Sequence, residues 1–159
     1  MASPPLKVLF LCTGNSARSI LAEYLLASLD PERFETWSAG SHPRGQVHPL
    51  ALRVLREDYG IEAGQARSKS WEELRQVPFD LVITVCDQAR ESCPLWPVGT
   101  PALVHWGMED PAEVEGSEEE RLLAFRQAAR ILETRLRRLA ALPVDDIDRE
   151  ALQRLLSDS

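Results

Sequence analysis

Residues 8–19 read Val8-Leu9-Phe10-Leu11-Cys12-Thr13-Gly14-Asn15-Ser16-Ala17-Arg18-Ser19. The apolar run from Leu6 to Leu11 predicts a short buried strand that ends at a cysteine. Small polar residues then predict a tight loop, and from Arg18 onward apolar side chains recur with helical spacing. Those side chains are Ile20, Leu21, Tyr24, Leu25 and Leu29. The sequence therefore predicts a strand, a loop and a helix N-terminus in immediate succession.

This loop has the features of an anion-binding site. A loop that closes onto a helix N-terminus directs several backbone N–H groups toward one point, and the helix dipole adds positive charge there. Cys12 begins the loop and Arg18 ends it, so a thiol and a guanidinium face the same oxyanion. The same field is expected to lower the pKa of the Cys12 thiol and to favour the nucleophilic thiolate. Ser19 is within reach for a hydrogen bond to that sulfur.

The sequence thus predicts a nucleophilic Cys12 beside an oxyanion that the following loop holds. The residues predicted to bind the oxyanion are Thr13, Gly14, Asn15, Ser16, Ala17 and Arg18. A lone cysteine after a strand is more often a packed apolar residue than a nucleophile. It is the combination of cysteine, loop, arginine, serine and helix that points to a catalytic site.

Length, charge and cysteine content restrict the class of protein. The chain has 159 residues, which fits a single domain over 1–159, and its net charge of −7 without a basic run argues against nucleic-acid binding. No apolar stretch has the length of a membrane span, and the N-terminus lacks the pattern of a signal peptide. Three cysteines without a secretion signal favour a reducing compartment, so we expect a cytoplasmic protein with no membrane partner.

Strand and helix patterns alternate along the rest of the chain. Further strands are predicted at residues 34–39, where Gly40 ends the strand, at 79–85 and at 102–105. Helices are predicted from Pro49 to Gly60 and over residues 146–156. A short helix through Gln76 is predicted with Ser70 and Glu73 as its capping box. A longer helix is predicted to begin at Ser117, with a capping box to Glu120, and to end at Pro143. Alternation of this kind predicts an α/β fold with a parallel sheet.

Three chemically active side chains follow different strands of this predicted sheet. Cys12 follows the first strand, Cys86 the third and Asp110 the fourth. Parallel strands present their carboxyl ends at one edge, where ligands bind. Because adjacent strands lie about 4.8 Å apart, Cys86 is expected within roughly 10 Å of Cys12. At that edge Asp110 becomes a candidate general acid.

The motifs together resemble those of a known family. Cys12-Thr13-Gly14-Asn15-Ser16, followed by Arg18-Ser19 and Ala22-Glu23, resembles the phosphate-binding loop of the low-molecular-weight tyrosine phosphatase superfamily. The likeness is greatest to its thioredoxin-coupled arsenate reductase branch, and it covers about residues 6–141. Ser38-Ala39-Gly40 and the Asp110-Pro111 pair after Trp106-Gly107 belong to it as well. The resemblance implies a three-layer α/β fold with a four-stranded parallel sheet and helices on both faces.

The resemblance also implies a reaction and a partner. Cys12 would attack arsenate while Arg18 and the loop hold the oxyanion, and Asp110 would assist as the acid. Cys86 and then Cys93 would relay the oxidation as disulfides to thioredoxin, and no cofactor or metal would be needed. Some relatives hold potassium beneath the loop with counterparts of Asn15, Glu23 and Ser38. Here Lys69 stands where an acidic partner is expected, so its ammonium would replace the ion.

Two other functions use a loop of this kind. A phosphatase would hydrolyse phosphotyrosine or small phosphomonoesters through a phosphorylated Cys12, with the same Arg18 and Asp110. The Cys86 and Cys93 pair is not needed for hydrolysis, and Ala112 stands where phosphatases tend to carry an aromatic residue. Within the loop, Ala17 stands where many relatives have a second cysteine, which is not a residue that the relay needs. A phosphocysteine carrier would need a docking partner, but neither Arg18 in its clamp position nor an acid at Asp110.

Overall fold

The computed structural model describes residues 5–86, 101–143 and 149–157. The sequence also predicts an ordered loop over residues 87–99, and this loop, with Cys93, lies outside the described residues. The rest contains one sheet and the helices packed on it.

All strands of the sheet are parallel, in the order β2-β1-β3-β4. The strands are β1 (Leu6–Cys12), β2 (Phe34–Gly40), β3 (Leu81–Thr84) and β4 (Ala102–His105). Successive side chains of β1 point to opposite faces of the sheet, yet Leu9 and Phe10 are both fully buried. Both faces must therefore be covered, which confirms the predicted three-layer α/β fold. Strand β3 is shorter than its apolar run, although Phe79 and Val85 at the ends of that run are buried.

The helices begin and end close to the predicted positions. They are α1 (Arg18–Leu29), α2 (Pro49–Tyr59), α3 (Glu118–Ala141) and α4 (Arg149–Ser157). Gly60 ends α2 in the left-handed conformation, with φ of 67°, as its position predicts. The Ser117 hydroxyl caps α3 by accepting from the Glu120 N–H at 3.1 Å. The apolar side chains that recur along α3 with helical spacing are buried, namely Leu122, Phe125, Ala129, Leu132, Leu136 and Leu139.

The predicted capping box at Ser70 and Glu73 is wrong in detail. The segment is a single 3-10 turn, Trp71–Leu74, and the Ser70 hydroxyl accepts from the Glu72 N–H at 3.2 Å instead of capping through Glu73. Glu73 forms an ion pair with Arg67, 2.9 Å away. A cap side chain accepts from the N–H two or three positions after it, and at Ser70 the nearer N–H, that of Glu72, is the donor.

Helix α4 covers the outer edge of the sheet. The Trp106 indole N–H donates to the Leu156 carbonyl at 3.0 Å, and the Leu103 N–H of β4 donates to the Gln153 side chain at 3.2 Å. A covered edge strand cannot pair with the strands of another chain. Within the described ranges, no helix combines the length and apolarity that crossing a bilayer requires.

Gly40, at the end of β2, is where the sheet meets the anion-binding loop. Its N–H donates to the Lys69 carbonyl at 2.9 Å. A Cβ at this position would lie 2.5 Å from the Thr13 carbonyl oxygen and 3.0 Å from the Asn15 nitrogen. Any side chain here must therefore push the loop backbone away from the sheet.

We expect Gly40→Ala to lower the free energy of unfolding by about 1–3 kcal/mol, since the added methyl group overpacks rigid backbone. Urea unfolding followed by circular dichroism measures the loss. The matched control is Gly64→Ala, because nothing lies within 4 Å of a Cβ at Gly64. Equal stability of the two variants would contradict this account of Gly40.

Candidate active site

Cys12 lies buried at the carboxyl end of β1, with its sulfur surrounded by hydrogen-bonding groups. Its Sγ lies 2.8 Å from the Ser19 hydroxyl oxygen. The backbone N–H of Asn15 donates to the same sulfur, with the nitrogen 3.2 Å away. The hydrogen bond expected between Ser19 and Cys12 is therefore present, and the loop turns back on its own cysteine.

Asn15 fixes the shape of the loop. It has φ of 46°, in the left-handed region that asparagine tolerates better than most residues, and its side chain is fully buried. The amide Nδ2 donates to the Ser19 hydroxyl at 2.8 Å, and the amide Oδ1 accepts from the Lys69 N–H at 2.9 Å. One side chain thus joins the loop, the first turn of α1 and the segment after α2.

The pKa of Cys12 differs from the sequence-based expectation. Burial raises the pKa of the Cys12 thiol, and this effect exceeds the lowering by the Ser19 hydrogen bonds, the Arg18 charge and the Asn15 N–H. The predicted net depression of this pKa is therefore wrong for the thiol in this structure, because the sulfur is fully desolvated. The groups predicted to stabilise the thiolate are in place, and their effect is opposed by burial.

Arg18 and Asp110 meet at the mouth of the loop. The Arg18 Nη2 lies 3.5 Å from the Asp110 Oδ2, and Arg18 Nη1 donates to the Met108 carbonyl at 3.0 Å. Asp110 also caps the short 3-10 turn after it, accepting from the Ala112 N–H at 2.9 Å. Both side chains line a cavity of about 170 Å³ with Cys12, Thr13, Gly14, Ser16 and Ala17. The predicted loop residues and Asp110, which are distant in the chain, therefore share one pocket.

Cys86 lies beside the loop, as the parallel sheet predicts. Strand β3 continues from Thr84, and the Val85 N–H donates to the Leu11 carbonyl at 2.8 Å. The next residue places the Cys86 Sγ 3.2 Å from the Thr13 hydroxyl oxygen. Cys12 and Cys86 are both buried and are not joined in a disulfide. A second thiol thus contacts the residue that follows the predicted nucleophile.

A polar cluster lies beneath the loop where relatives were expected to hold potassium. The Ser38 hydroxyl donates to Glu23, and burial raises the pKa of Glu23 while the Lys69 charge lowers it. Burial lowers the pKa of Lys69, and the Glu23 charge raises it. The two charges therefore influence each other, and the Lys69 ammonium donates to the Arg67 carbonyl at 3.1 Å. In the described part of the chain, no three His, Cys, Asp or Glu side chains cluster closely enough to hold a metal.

Residues 41–48 form a wall of the pocket that sequence reasoning missed. His42 and Arg44 from this wall line the pocket, and Glu113 lines it as well. Ser68 ties the wall to the loop, since its hydroxyl donates to the Gly14 carbonyl at 3.0 Å and accepts from the Gly45 N–H at 3.1 Å. The only signal for this wall was its position after the second strand, at the edge where ligands bind.

His48 ends this wall and begins α2. Its backbone N–H donates to the Ser16 carbonyl at 2.8 Å, and its Nδ1 accepts from the Leu50 N–H at 3.1 Å. Burial and nearby arginine charges lower the pKa of His48, and the Asp110 charge raises it. An imidazole that accepts at Nδ1 must be neutral, so the lowered pKa agrees with its role as a helix cap.

The chain is similar to proteins of known family. A family model for low molecular weight phosphotyrosine protein phosphatases matches residues 7–154. An arsenate reductase of Halalkalibacterium halodurans is 37% identical over 120 residues, which are 76% of this chain and 84% of that protein. The family match ends at residue 154, and therefore extends beyond residue 141, where the resemblance in the motifs was expected to end.

Solved structures of related proteins have the same fold. An arsenate reductase in a phosphate binding state matches with a TM-score of 0.72 at 29% identity, covering 86% of this chain and 97% of that chain. A thioredoxin-dependent arsenate reductase of Corynebacterium glutamicum matches with a TM-score of 0.57 at 29% identity, covering 86% of this chain and 64% of that chain.

Removal of the Ser19 hydroxyl should make Cys12 less reactive. In a background with Cys86 and Cys93 replaced by alanine, Ser19→Ala should raise the pKa of Cys12 by about one unit, because a hydrogen bond to the thiolate is lost. Alkylation by iodoacetamide, followed over a range of pH, should then be about tenfold slower at neutral pH. Ser41→Ala is the control, since the Ser41 hydroxyl contacts His42 instead of the sulfur. An unchanged pH profile in Ser19→Ala would contradict the role given to Ser19.

Proposed function

We propose that this chain, which belongs to the low molecular weight phosphotyrosine protein phosphatase family, reduces arsenate to arsenite with thioredoxin as the electron donor. The observation that carries this proposal is the position of Cys86. Its sulfur lies 3.2 Å from the Thr13 hydroxyl, one residue from the predicted nucleophile. Phosphoester hydrolysis needs one thiol in this pocket, whereas reduction of arsenate through a thiol relay needs a second thiol nearby.

In the first step, the Cys12 thiol gives its proton to the bound arsenate dianion, and the resulting thiolate attacks arsenic. A sulfur–arsenic bond forms, and one arsenate oxygen leaves as water. The loop N–H groups and Arg18 hold the remaining oxygens, since a planar guanidinium matches two oxygens of a tetrahedral oxyanion. Asp110 is the proposed general acid for the leaving oxygen. It lies at the mouth of the pocket, 3.5 Å from Arg18.

In the second step, the Cys86 thiolate attacks the sulfur of Cys12. A Cys12–Cys86 disulfide forms, and the electron pair of the sulfur–arsenic bond stays with arsenic, which leaves as arsenite. Two electrons thus pass from the two thiols to arsenic. Thr13 links the two cysteines, because it is the residue after Cys12 and its hydroxyl contacts the Cys86 sulfur.

In the third step, Cys93 attacks Cys86, releases the Cys12 thiolate and leaves a Cys86–Cys93 disulfide. The dithiol of thioredoxin then reduces this disulfide and restores all three thiols. The similarity to the thioredoxin-dependent reductase of Corynebacterium glutamicum supports this choice of donor. The relay needs a reducing compartment, which agrees with a cytoplasmic location, and it needs neither a metal nor a bound cofactor. We propose that the Lys69 ammonium replaces a potassium ion near Glu23, which the mutual effect of the two charges supports.

A phosphatase is the second candidate function. The family name and the shared Cys12, Arg18 and Asp110 favour it, because arsenate and phosphate have the same shape and charge. Weak hydrolysis of phosphomonoesters therefore accompanies the proposed reductase activity. A phosphocysteine carrier is disfavoured, since a carrier needs neither the Arg18 clamp nor an acid, and both side chains lie in this pocket.

Replacement of Cys93 separates the steps of the relay. Treated with arsenate and no reductant, Cys93→Ser should release about one arsenite per chain and stop as a Cys12–Cys86 disulfide, because no thiol remains to attack Cys86. Thioredoxin should not restore turnover. Arsenite release and peptide mapping of the disulfide measure both outcomes, with Cys12→Ser as the inactive control. Full turnover of Cys93→Ser with thioredoxin would show that Cys93 is outside the relay.

Replacement of Arg18 tests the clamp. Arg18→Lys keeps the charge and loses the planar fork, so we expect a loss of about 100-fold in kcat/KM for arsenate with the fold retained. Steady-state kinetics with thioredoxin measure the loss, and circular dichroism checks the fold. Arg56→Lys, at an exposed position near the end of α2, is the matched control and should retain wild-type kinetics. Near-normal kinetics of Arg18→Lys would mean that Arg18 does not bind the oxyanion.

A further inference from the structure

The wall over residues 41–48 is attached to the loop by its backbone. The N–H groups of Ser41, His42 and Arg44 donate to the carbonyls of Cys12, Thr13 and Gly14, at 3.3, 2.9 and 2.9 Å. The two segments therefore run side by side for the length of the loop. The backbone of the wall is therefore held along the rim of the pocket.

Arg44 occupies the space that Gly14 leaves open. An ideal Cβ at Gly14 would lie 3.0 Å from the Arg44 Nε and 3.1 Å from its Cγ, so the arginine side chain lies directly against the loop backbone. The same side chain lines the pocket that contains Cys12 and Arg18. A second guanidinium thus lies beside the loop where the oxyanion is proposed to bind.

The charges around the pocket leave Arg44 available for an anion. Arg18 is paired with Asp110. Arg44 forms no ion pair with any residue of the described ranges. The whole chain carries a charge of −7, so an anionic substrate needs local positive charge to approach. Arg44 supplies positive charge to the pocket from the wall, in addition to Arg18 at the start of α1.

We infer that Arg44 is a second substrate-binding arginine, which contacts the bound oxyanion together with Arg18. This inference rests on the proposed function, because it concerns the oxyanion in the same pocket. Arg44 belongs to the rim and has no contact with the Cys12 sulfur, so its bond to the oxyanion is equally strong before and during the reaction. Such uniform binding lowers KM and leaves kcat unchanged.

The test compares variants of the full chain in two measurements. Calorimetric titration of the reduced protein with inorganic phosphate gives a Kd, and thioredoxin-coupled turnover gives KM and kcat for arsenate. For Arg44→Ala we expect Kd and KM to rise roughly tenfold while kcat stays within about twofold, because a charge-assisted hydrogen bond is lost. For Arg44→Lys, which keeps the charge without the fork, both constants should rise less.

Arg56→Ala is the matched control, since it removes the same charge from an exposed position near the other end of α2. The inference is overturned if Arg44→Ala binds phosphate as tightly as Arg56→Ala, or if Arg44→Ala lowers kcat instead of raising KM. The phosphate titration needs no turnover. If the wild-type protein failed to reduce arsenate, the proposed function would fail, while a weaker phosphate Kd in Arg44→Ala would still support Arg44 as an anion contact.

Discussion

The buried amide of Asn15 is the interaction on which the site depends. Its backbone is held in the left-handed region, and its side chain bonds to Ser19 on one side and to the Lys69 backbone on the other. These bonds turn the chain so that the Asn15 N–H points at the Cys12 sulfur. The sheet supports this geometry through Gly40, which lets β2 approach the loop more closely than any side chain would allow.

The environment of Cys12 is a balance between two opposing effects. Desolvation favours the neutral thiol, whereas the hydroxyl, amide and guanidinium groups around it favour the thiolate. Because the donors are fixed by the fold, they need no rearrangement when negative charge develops at the sulfur or on an oxyanion. The same enclosure that raises the pKa of the thiol strengthens each of these interactions, since few water molecules compete with them.

Much of the fold follows from local patterns in the sequence. The apolar run of β1, the helical spacing of α1 and α3, and the glycine after α2 all specify their elements directly, and parallel strands then bring Cys12, Cys86 and Asp110 to one edge. The direction in which the pKa of Cys12 is shifted could not be predicted, because the burial of the sulfur depends on how distant segments pack around it. Ser70 is the predicted cap, but its pairing with Glu73 was wrong, because one sequence pattern fits both an α-turn and a 3-10 turn. Arg44 escaped notice because its contact with Gly14 arises only when the wall lies along the loop.

The attachment of the wall to the loop has a consequence for how this pocket can change during evolution. Every bond that ties Ser41, His42, Arg44 and His48 to the loop is donated by a backbone N–H group. All amino acids except proline have this group, so side chains along the wall can be exchanged without loosening the loop that they border. Substitutions of side chains at the rim therefore leave the residues that hold Cys12 in place. A lineage can retain one reaction centre while the rim adapts to new oxyanions.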